Sequence, residues 1–311
     1  AKGNNAILGN ENGGVDRSIA PNRVSNGEDI KDYFFSASDT KYNGELKIFH
    51  YAFGATSNSA ATSYVYINGK LLKTFTERNS NGGYNKLYIG NAGNTGSFSN
   101  QLAEVIIYDQ NLSTANKNKV QTYLSLKYGI PLDNATTTDY IASDGTIIFD
   151  AFANSGYTAS VFGIGRDDDS SLDQRISKFG QTNLIVSLDN DFTNSNNESS
   201  RTTIHSNDKQ FLIFSSNGLN VDNDNNSVDL DVYISRINRV WKVNATNFSQ
   251  SVSLKVTAIS GTINSNEYYL ITDDDGDFSN GGTVNEGALG TNKIISGVRF
   301  SSSRPYFTIA K

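Results

Sequence analysis

The chain has 311 residues, 26 basic and 32 acidic side chains, a formal net charge of −6 and no cysteine. The acidic balance opposes binding to a nucleic-acid backbone, and the absence of thiols excludes disulfides, thiolate metal sites and cysteine nucleophiles. No apolar run approaches the roughly 20 residues of a membrane helix, so membrane insertion is not expected. The 16 Tyr and 17 Phe are ample for packed cores, and the length favours two domains. The wealth of Asn, Ser, Thr and Gly suits a secreted or surface-exposed bacterial protein. The first residue is not Met and an apparent strand runs to the last residues, so a mature product or a piece cut from something longer is expected.

Residues 1–29 are rich in Gly and Asn. Strands are then predicted over 32–36, 45–53, 63–67, 70–76 and 86–90. Asn68-Gly69 is a two-residue hairpin signal between the third and fourth of these. Residues 103–108 (AEVIIY) read as another strand. The one amphipathic helix follows, with Ser113 as its N-cap and Val120, Tyr123, Leu124 and Tyr128 at helical spacing. Gly129 and Pro131 stop it. A polar linker, 133–138, separates this half from a second set of strands over 139–311, among them 146–151, 159–165, 210–215, 234–243, 251–259, 268–272, 293–300 and 306–310. Trp241, the only tryptophan, sits in RINRVWKV and is expected to anchor a core. The pattern gives an all-β chain of two β-sandwich domains, 1–132 and 139–311.

Three stretches carry a resemblance: YVYINGKLLKTF at 64–75, KLYIG at 86–90, and LAEVIIYDQNLSTANKNKVQTYLSLKYGIPL at 102–132. Together they resemble the laminin-G-like, concanavalin-like jelly-roll modules of secreted Bacteroidota proteins, in which a strand and a short helix close the domain. GNNA at 3–6 resembles an early segment of that family, which implies that the first strand of the jelly roll is missing from this chain. Asn116 and Asn118 depart from the pattern, because the family helix carries acidic residues in its first turn. The second half resembles the β-domain that follows such modules in flavobacterial surface proteins. The motifs are DYIASDGTIIFDA, VFGIGRDDDSSLDQRISK, RVWKV and LITDDDGDFSNGGT. The resemblance implies adhesion, extracellular structure or an accessory role beside polysaccharide-degrading enzymes, and it does not specify a ligand.

Candidate sites follow from residue chemistry. Asp273, Asp275 and Asp277 surround Gly276 and could offer hard oxygen ligands to a structural Ca²⁺, although the spacing is not that of an EF-hand. Asp222 and Asp224, with Asp229 and Asp231, form a second acidic stretch. Asp167, Asp168 and Asp169 with Asp173 form a third, where Arg166 and Arg175 could supply the counter-charge instead. Each also reads as an ordinary solvated turn. Tyr64 and Tyr66 share one face of a strand, opposite Val65 and Ile67, and could stack on sugar rings unless that face is simply core. Tyr33, Tyr42 and Tyr84 are further candidate aromatics. His50 reads as a strand residue, and His205 has no triad pattern around it. Glu104 and Asp109 are five apart, so no carboxylate pair shares a strand face as a retaining glycosidase requires. The expectation is a non-enzymatic module acting in adhesion or extracellular structure. Its partners would be a polysaccharide, a surface glycan or neighbouring modules. The alternative is an accessory carbohydrate-binding part of a degrading enzyme, or a weak glycoside hydrolase.

Overall fold

A computed structural model describes residues 7–9, 17–20, 23–26, 31–33, 46–54, 59–77, 88–90, 101–132, 138–178, 183–196, 201–221, 223–226, 228–230, 235–257, 259, 263–264 and 266–311. Among them the regular secondary structure is mostly β-strand, with one α-helix and two short 3₁₀ turns, as the turn-rich sequence predicts. Contacts divide it into two compact units, Ala1–Thr114 and Ala115–Lys311.

The first unit holds two antiparallel sheets. One contains β1 (Leu8–Gly9), β2 (Arg17–Ala20), β3 (Arg23–Asn26), β4 (Lys31–Tyr33) and, beyond the second sheet in sequence, β8 (Tyr88–Ile89), in the order β4-β3-β2-β1-β8. The other contains β5 (Phe49–Ala52), β6 (Ala61–Ile67) and β7 (Lys70–Glu77) in sequential order. The β6–β7 turn is the expected one. Asn68 and Gly69 both take positive φ, 46° and 83°, which Asn and Gly tolerate better than other residues. Asn68 is buried and tied to the residue that leads into β5: its Oδ1 accepts the Ile48 N–H at 3.0 Å, and its own N–H donates to the Ile48 carbonyl at 2.9 Å.

The helix α1 (Thr114–Tyr128) falls in the second unit, so the division lies ahead of it rather than after residue 132. Its hydrogen bonds run the same way. Lys119 Nζ donates to the Ser143 carbonyl at 2.6 Å, and Thr122 Oγ1 accepts the Ile141 N–H at 2.9 Å. The stop is as expected. Gly129 adopts φ +62°, and the Ile130 N–H reaches back to the Ser125 carbonyl at 3.0 Å, closing a Schellman-type end. A Cβ at Gly129 would also lie 2.5 Å from the Lys178 carbonyl oxygen, so two constraints require glycine. The buried face differs from expectation. Gln121, Thr122, Ser125 and Leu126 point inward, whereas Val120, Tyr123, Leu124 and Tyr128 are only partly buried. Two of its polar members are satisfied by backbone: Thr122 Oγ1 accepts the Ile141 N–H, and the Ser125 hydroxyl donates to the Ile130 carbonyl.

The rest of the second unit forms a hairpin and two sheets. The hairpin pairs β9 (Tyr140–Ile141) with β10 (Ile147–Phe149). The larger sheet joins β11 (Ala159–Asp167), β12 (Leu172–Gln174), β15 (Gln210–Ser216), β16 (Asn223–Asn226), β17 (Arg236–Ile237), β18 (Trp241–Thr246), β20 (Tyr269–Asp273), β21 (Val284–Ala288) and β23 (Tyr306–Ala310). The smaller sheet joins β13 (Ile176–Lys178), β14 (Leu184–Ser187), β19 (Val252–Val256) and β22 (Ile294–Val298). Side chains of both sheets meet in one core: Phe162, Leu212, Phe214, Trp241 and Phe307 from the larger, Val186, Leu254, Val256 and Ile295 from the smaller. The layering is sandwich-like. Trp241 is fully buried and stacks on Phe307 at 5.2 Å and 13°, the anchor its context predicted.

One predicted strand is not in a sheet. Residues 101–113 pair with no described strand, and Leu102, Val105, Ile106, Ile107 and Tyr108 are 38–56% exposed. Apolar composition alone does not make a strand; it needs a neighbour to take its backbone hydrogen bonds.

Gln121 is 2% exposed, and neither its amide nitrogen nor its oxygen has a hydrogen-bond partner. A buried unmade hydrogen bond costs about 1–3 kcal/mol per group. Gln121→Leu is therefore expected to raise the midpoint of urea unfolding followed by circular dichroism. An equal or lower midpoint would show that this amide carries no penalty.

Candidate functional site

The first candidate is the face of β6 opposite Val65 and Ile67. Ser63, Val65 and Ile67 are buried, with Phe75 of β7 and Tyr51 of β5 packed against Val65. Alternation turns Tyr64 and Tyr66 to the other side. Both are partly exposed, their rings are 6.3 Å apart and tilted by 33°, and His50 of β5 stacks on Tyr66 at 5.0 Å and 14°. The register explains the strip: His50 faces Tyr66 and Ala52 faces Tyr64 across one edge, while Thr74 faces Tyr64 across the other. Partial burial pushes the Tyr66 hydroxyl up, so it is a neutral donor and acceptor at physiological pH. Ring faces beside hydroxyls suit a polyol that has both C–H faces and O–H groups.

The second candidate is the acidic turn after β20. Asp273 is fully buried, and its Oδ1 accepts the backbone N–H groups of Asp275 (3.1 Å) and Gly276 (2.7 Å), while Oδ2 accepts the Thr283 hydroxyl (2.8 Å). Asp275 repeats the pattern on the Asp277 N–H (2.7 Å), and Asp277 on the Ser279 N–H (3.2 Å). Each carboxylate thus caps the amide two residues on, which explains aspartate at alternate positions. The Asp277 amide, and then the Asn280 side chain, hold the Asp275 carboxyl below the usual range. Asp273, Asp274 and Asp275 can each bring a carboxylate oxygen within 4.8 Å of the others. Asp277 is outside that group, its Oδ1 being turned to the Ser279 N–H and hydroxyl. Carboxylates in this array suit a hard cation.

Residues distant in sequence flank the turn. Tyr157 and Tyr306 lie 5.2 Å apart, with Lys242 Nζ 5.9 Å and 5.0 Å from their ring centroids. Gly276 at φ +90° lets the turn abut them, because a Cβ there would be 3.1 Å from the Tyr157 hydroxyl and the Tyr306 ring. Burial first, then Tyr306, pushes the Tyr157 hydroxyl up. Nothing in the sequence linked these residues to the turn, since they come from the short helix at 155–157, β18 and β23.

The remaining acidic stretches resolve differently. Asp222 lies outside the described residues. Asp224 is in β16, but its side chain is outside them. Asp167–Asp169 is neutralised from within the protein. Lys209 Nζ lies 2.6 Å from Asp167 Oδ1 and 2.9 Å from Asp169 Oδ2, and Arg166 pairs with Asp168 at 2.7 Å. Burial opposes ionisation of Asp167, but its bonds from Lys209 and Ser143 outweigh that and hold its pKa below the ordinary value. Arg175 pairs with Asp173. A further ion pair went unread: Arg201, 3% exposed, spans Asp189 Oδ1 at 2.7 Å and the carbonyls of Asp191, Asn194 and Ser195, pinning the loop that follows β14. The side chain of Tyr33, and Tyr42 and Tyr84 altogether, are outside the described residues.

His205 is 1% exposed. Its Nε2 lies 3.0 Å from the Gln174 carbonyl, an acceptor, and its Nδ1 lies 3.0 Å from Gln210 Nε2, a donor. That pairing fits only the neutral ring protonated at Nε2. Burial lowers the pKa, and the Gln174 bond and Asp173 offset it only in part. The unfolded chain therefore takes up this proton first as pH falls, and stability held above about pH 6.5 is lost below it. The melting temperature is expected to fall from neutral to mildly acid pH, with a shallower fall in His205→Asn. Identical pH profiles for the two proteins would contradict the assignment.

Residues 116–304 match the model of a family described as a domain of unknown function (DUF8202), more than half of the chain, and the chain belongs to that family. No curated protein and no solved structure matches it.

Proposed function

We propose that this DUF8202 chain is a non-enzymatic module of a secreted or cell-surface bacterial protein, acting in adhesion or extracellular structure by holding a polysaccharide on its Tyr64–Tyr66 face. The observation that carries the reading is the strip of Tyr64, Tyr66 and His50, partly exposed on the face opposite Val65 and Ile67. Sugars bind such strips through ring stacking and hydroxyl hydrogen bonds, so no reactive group is required. The resemblance of 64–75, 86–90 and 102–132 to laminin-G-like jelly-roll modules supports the same reading. We take the Asp273–Asp275 turn as a structural Ca²⁺ site that stiffens the second unit.

Affinity electrophoresis in gels cast with different polysaccharides tests the first part. At least one is expected to retard the protein, and Tyr64→Ala and Tyr66→Ala to weaken retardation about tenfold each, the scale of about 1.4 kcal/mol per lost stacking contact. Release of new reducing ends would make the chain an enzyme and sink the non-enzymatic reading. For the metal, an ion bound only to the folded state must stabilise it. Millimolar Ca²⁺ is expected to raise the melting temperature, EDTA to lower it again, and Asp275→Asn to abolish the difference. A melting temperature indifferent to Ca²⁺ and chelator would remove the ion from the account.

A further inference from the structure

Two connections cross between the sheets of the second unit. Residues 247–251 lead from β18 of the larger sheet to β19 of the smaller, and residues 299–305 lead from β22 back to β23. Because β18 pairs antiparallel with β23, and β19 with β22, both connections lie at the same end of the sandwich. Between them is a cleft of about 670 Å³. Small-molecule sites run from roughly 300 to 1,000 Å³, and loops at a sandwich end are a common place for them.

The apolar wall of the cleft is Phe248 and Phe300, and the core fixes both rings. Phe300 packs on Phe214 at 5.5 Å and on Phe307 at 5.2 Å, while Phe248 meets His205 edge-on at 6.1 Å. The rim is polar. Ser249 and Ser302 are exposed, and neither hydroxyl has a hydrogen-bond partner among the described residues. Ser301 Oγ reaches only Ser303, at 2.8 Å from its Oγ and 3.2 Å from its N–H. Arg299 is exposed and makes no ion pair among the described residues, whereas Arg166, Arg175, Arg201 and Lys209 of the same unit each hold a carboxylate. No acidic side chain lines the cleft among the described residues, although the chain carries a net charge of −6.

These features select a ligand. A guanidinium without a counter-charge takes an anion, and its planar fork matches a carboxylate through two parallel hydrogen bonds. Aromatic faces beside unpaired hydroxyls suit a sugar ring, which has C–H faces and O–H groups. We propose that this cleft binds a uronic acid, with its carboxylate on Arg299, its hydroxyls at Ser249, Ser301 and Ser302, and its ring against Phe248 and Phe300. The inference is independent of the Tyr64–Tyr66 reading, since it uses no residue of the first unit.

Nitrogen–proton correlation spectra of the whole labelled chain test it. The probes are methyl glucuronide and methyl galacturonide, each beside its neutral methyl hexoside, and sodium acetate. At least one uronide is expected to shift the amides of 247–249 and 299–302 saturably, with its neutral counterpart about tenfold weaker or more, the scale of a lost hydrogen bond to a charged group. Acetate is expected to give no saturable shift there. In Arg299→Gln the uronide is expected to fall to the level of the neutral sugar, with circular dichroism as in the parent because Arg299 is exposed. Tyr66→Ala is expected to leave the uronide affinity unchanged, so the two sugar readings fail separately. No saturable shift at these amides with either uronide, equal affinity for uronide and hexoside, or uronide binding that survives Arg299→Gln overturns the proposal. Acetate binding as tightly as the uronide overturns it too, because a bare carboxylate would then account for the site.

Discussion

Val65 and Ile67 are buried to 0% and 2% exposure, and successive strand residues point to opposite faces, so their burial obliges Tyr64 and Tyr66 to face away. A slip of one residue in the β6 register would expose both aliphatic side chains and bury both phenols. The Asn68-Gly69 turn prevents that slip, because its two positive φ values fix the loop length, and Asn68 is held to Ile48 by two hydrogen bonds. The candidate sugar face is thus a by-product of core packing, held by a turn at the end of the strand. The second unit relies on the same rule. Its two sheets bury alternate side chains against each other, and Trp241 and Phe307 stack where they meet.

Charge is handled by local pairing more than by exposure. Lys209 and Arg166 neutralise Asp167–Asp169, Arg201 holds the loop after β14, and Asp273, Asp275 and Asp277 cap successive backbone amides. A chain rich in Asp and Asn can therefore keep long turns ordered without disulfides. The same arrangement separates the acidic stretches. At 167–169 Lys209 and Arg166 pair directly with the carboxylates, whereas at 273–275 the oxygens converge beside neutral donors, the backbone amides, Thr283 and Asn280.

Features set by neighbours in sequence were legible: the Asn68-Gly69 turn, the Gly129–Pro131 stop, the alternation of β6, and Trp241 as an anchor. Features set by distant partners were not. The inward stripe of α1 is Gln121, Thr122, Ser125 and Leu126; Thr122 Oγ1 accepts the Ile141 N–H, and no periodicity of apolar residues reports that. AEVIIY has strand composition, yet no described strand pairs with it. Lys209 stands 42 positions from Asp167, and Tyr157 and Tyr306 meet the acidic turn only through the fold. The Arg166–Asp168 and Arg175–Asp173 pairs were foreseeable because they join residues two apart on or beside one strand.

The proposal for the Tyr64–Tyr66 face of β6 is that it holds a polysaccharide. Hydrogen–deuterium exchange mapped with and without a retarding polysaccharide tests it most directly. The account predicts slowed exchange over 49–52, 61–67 and 70–77, centred on the strand that carries Tyr64 and Tyr66, with the core strands of the second unit unchanged. Protection confined to the second unit, or no polysaccharide that binds at all, would contradict it.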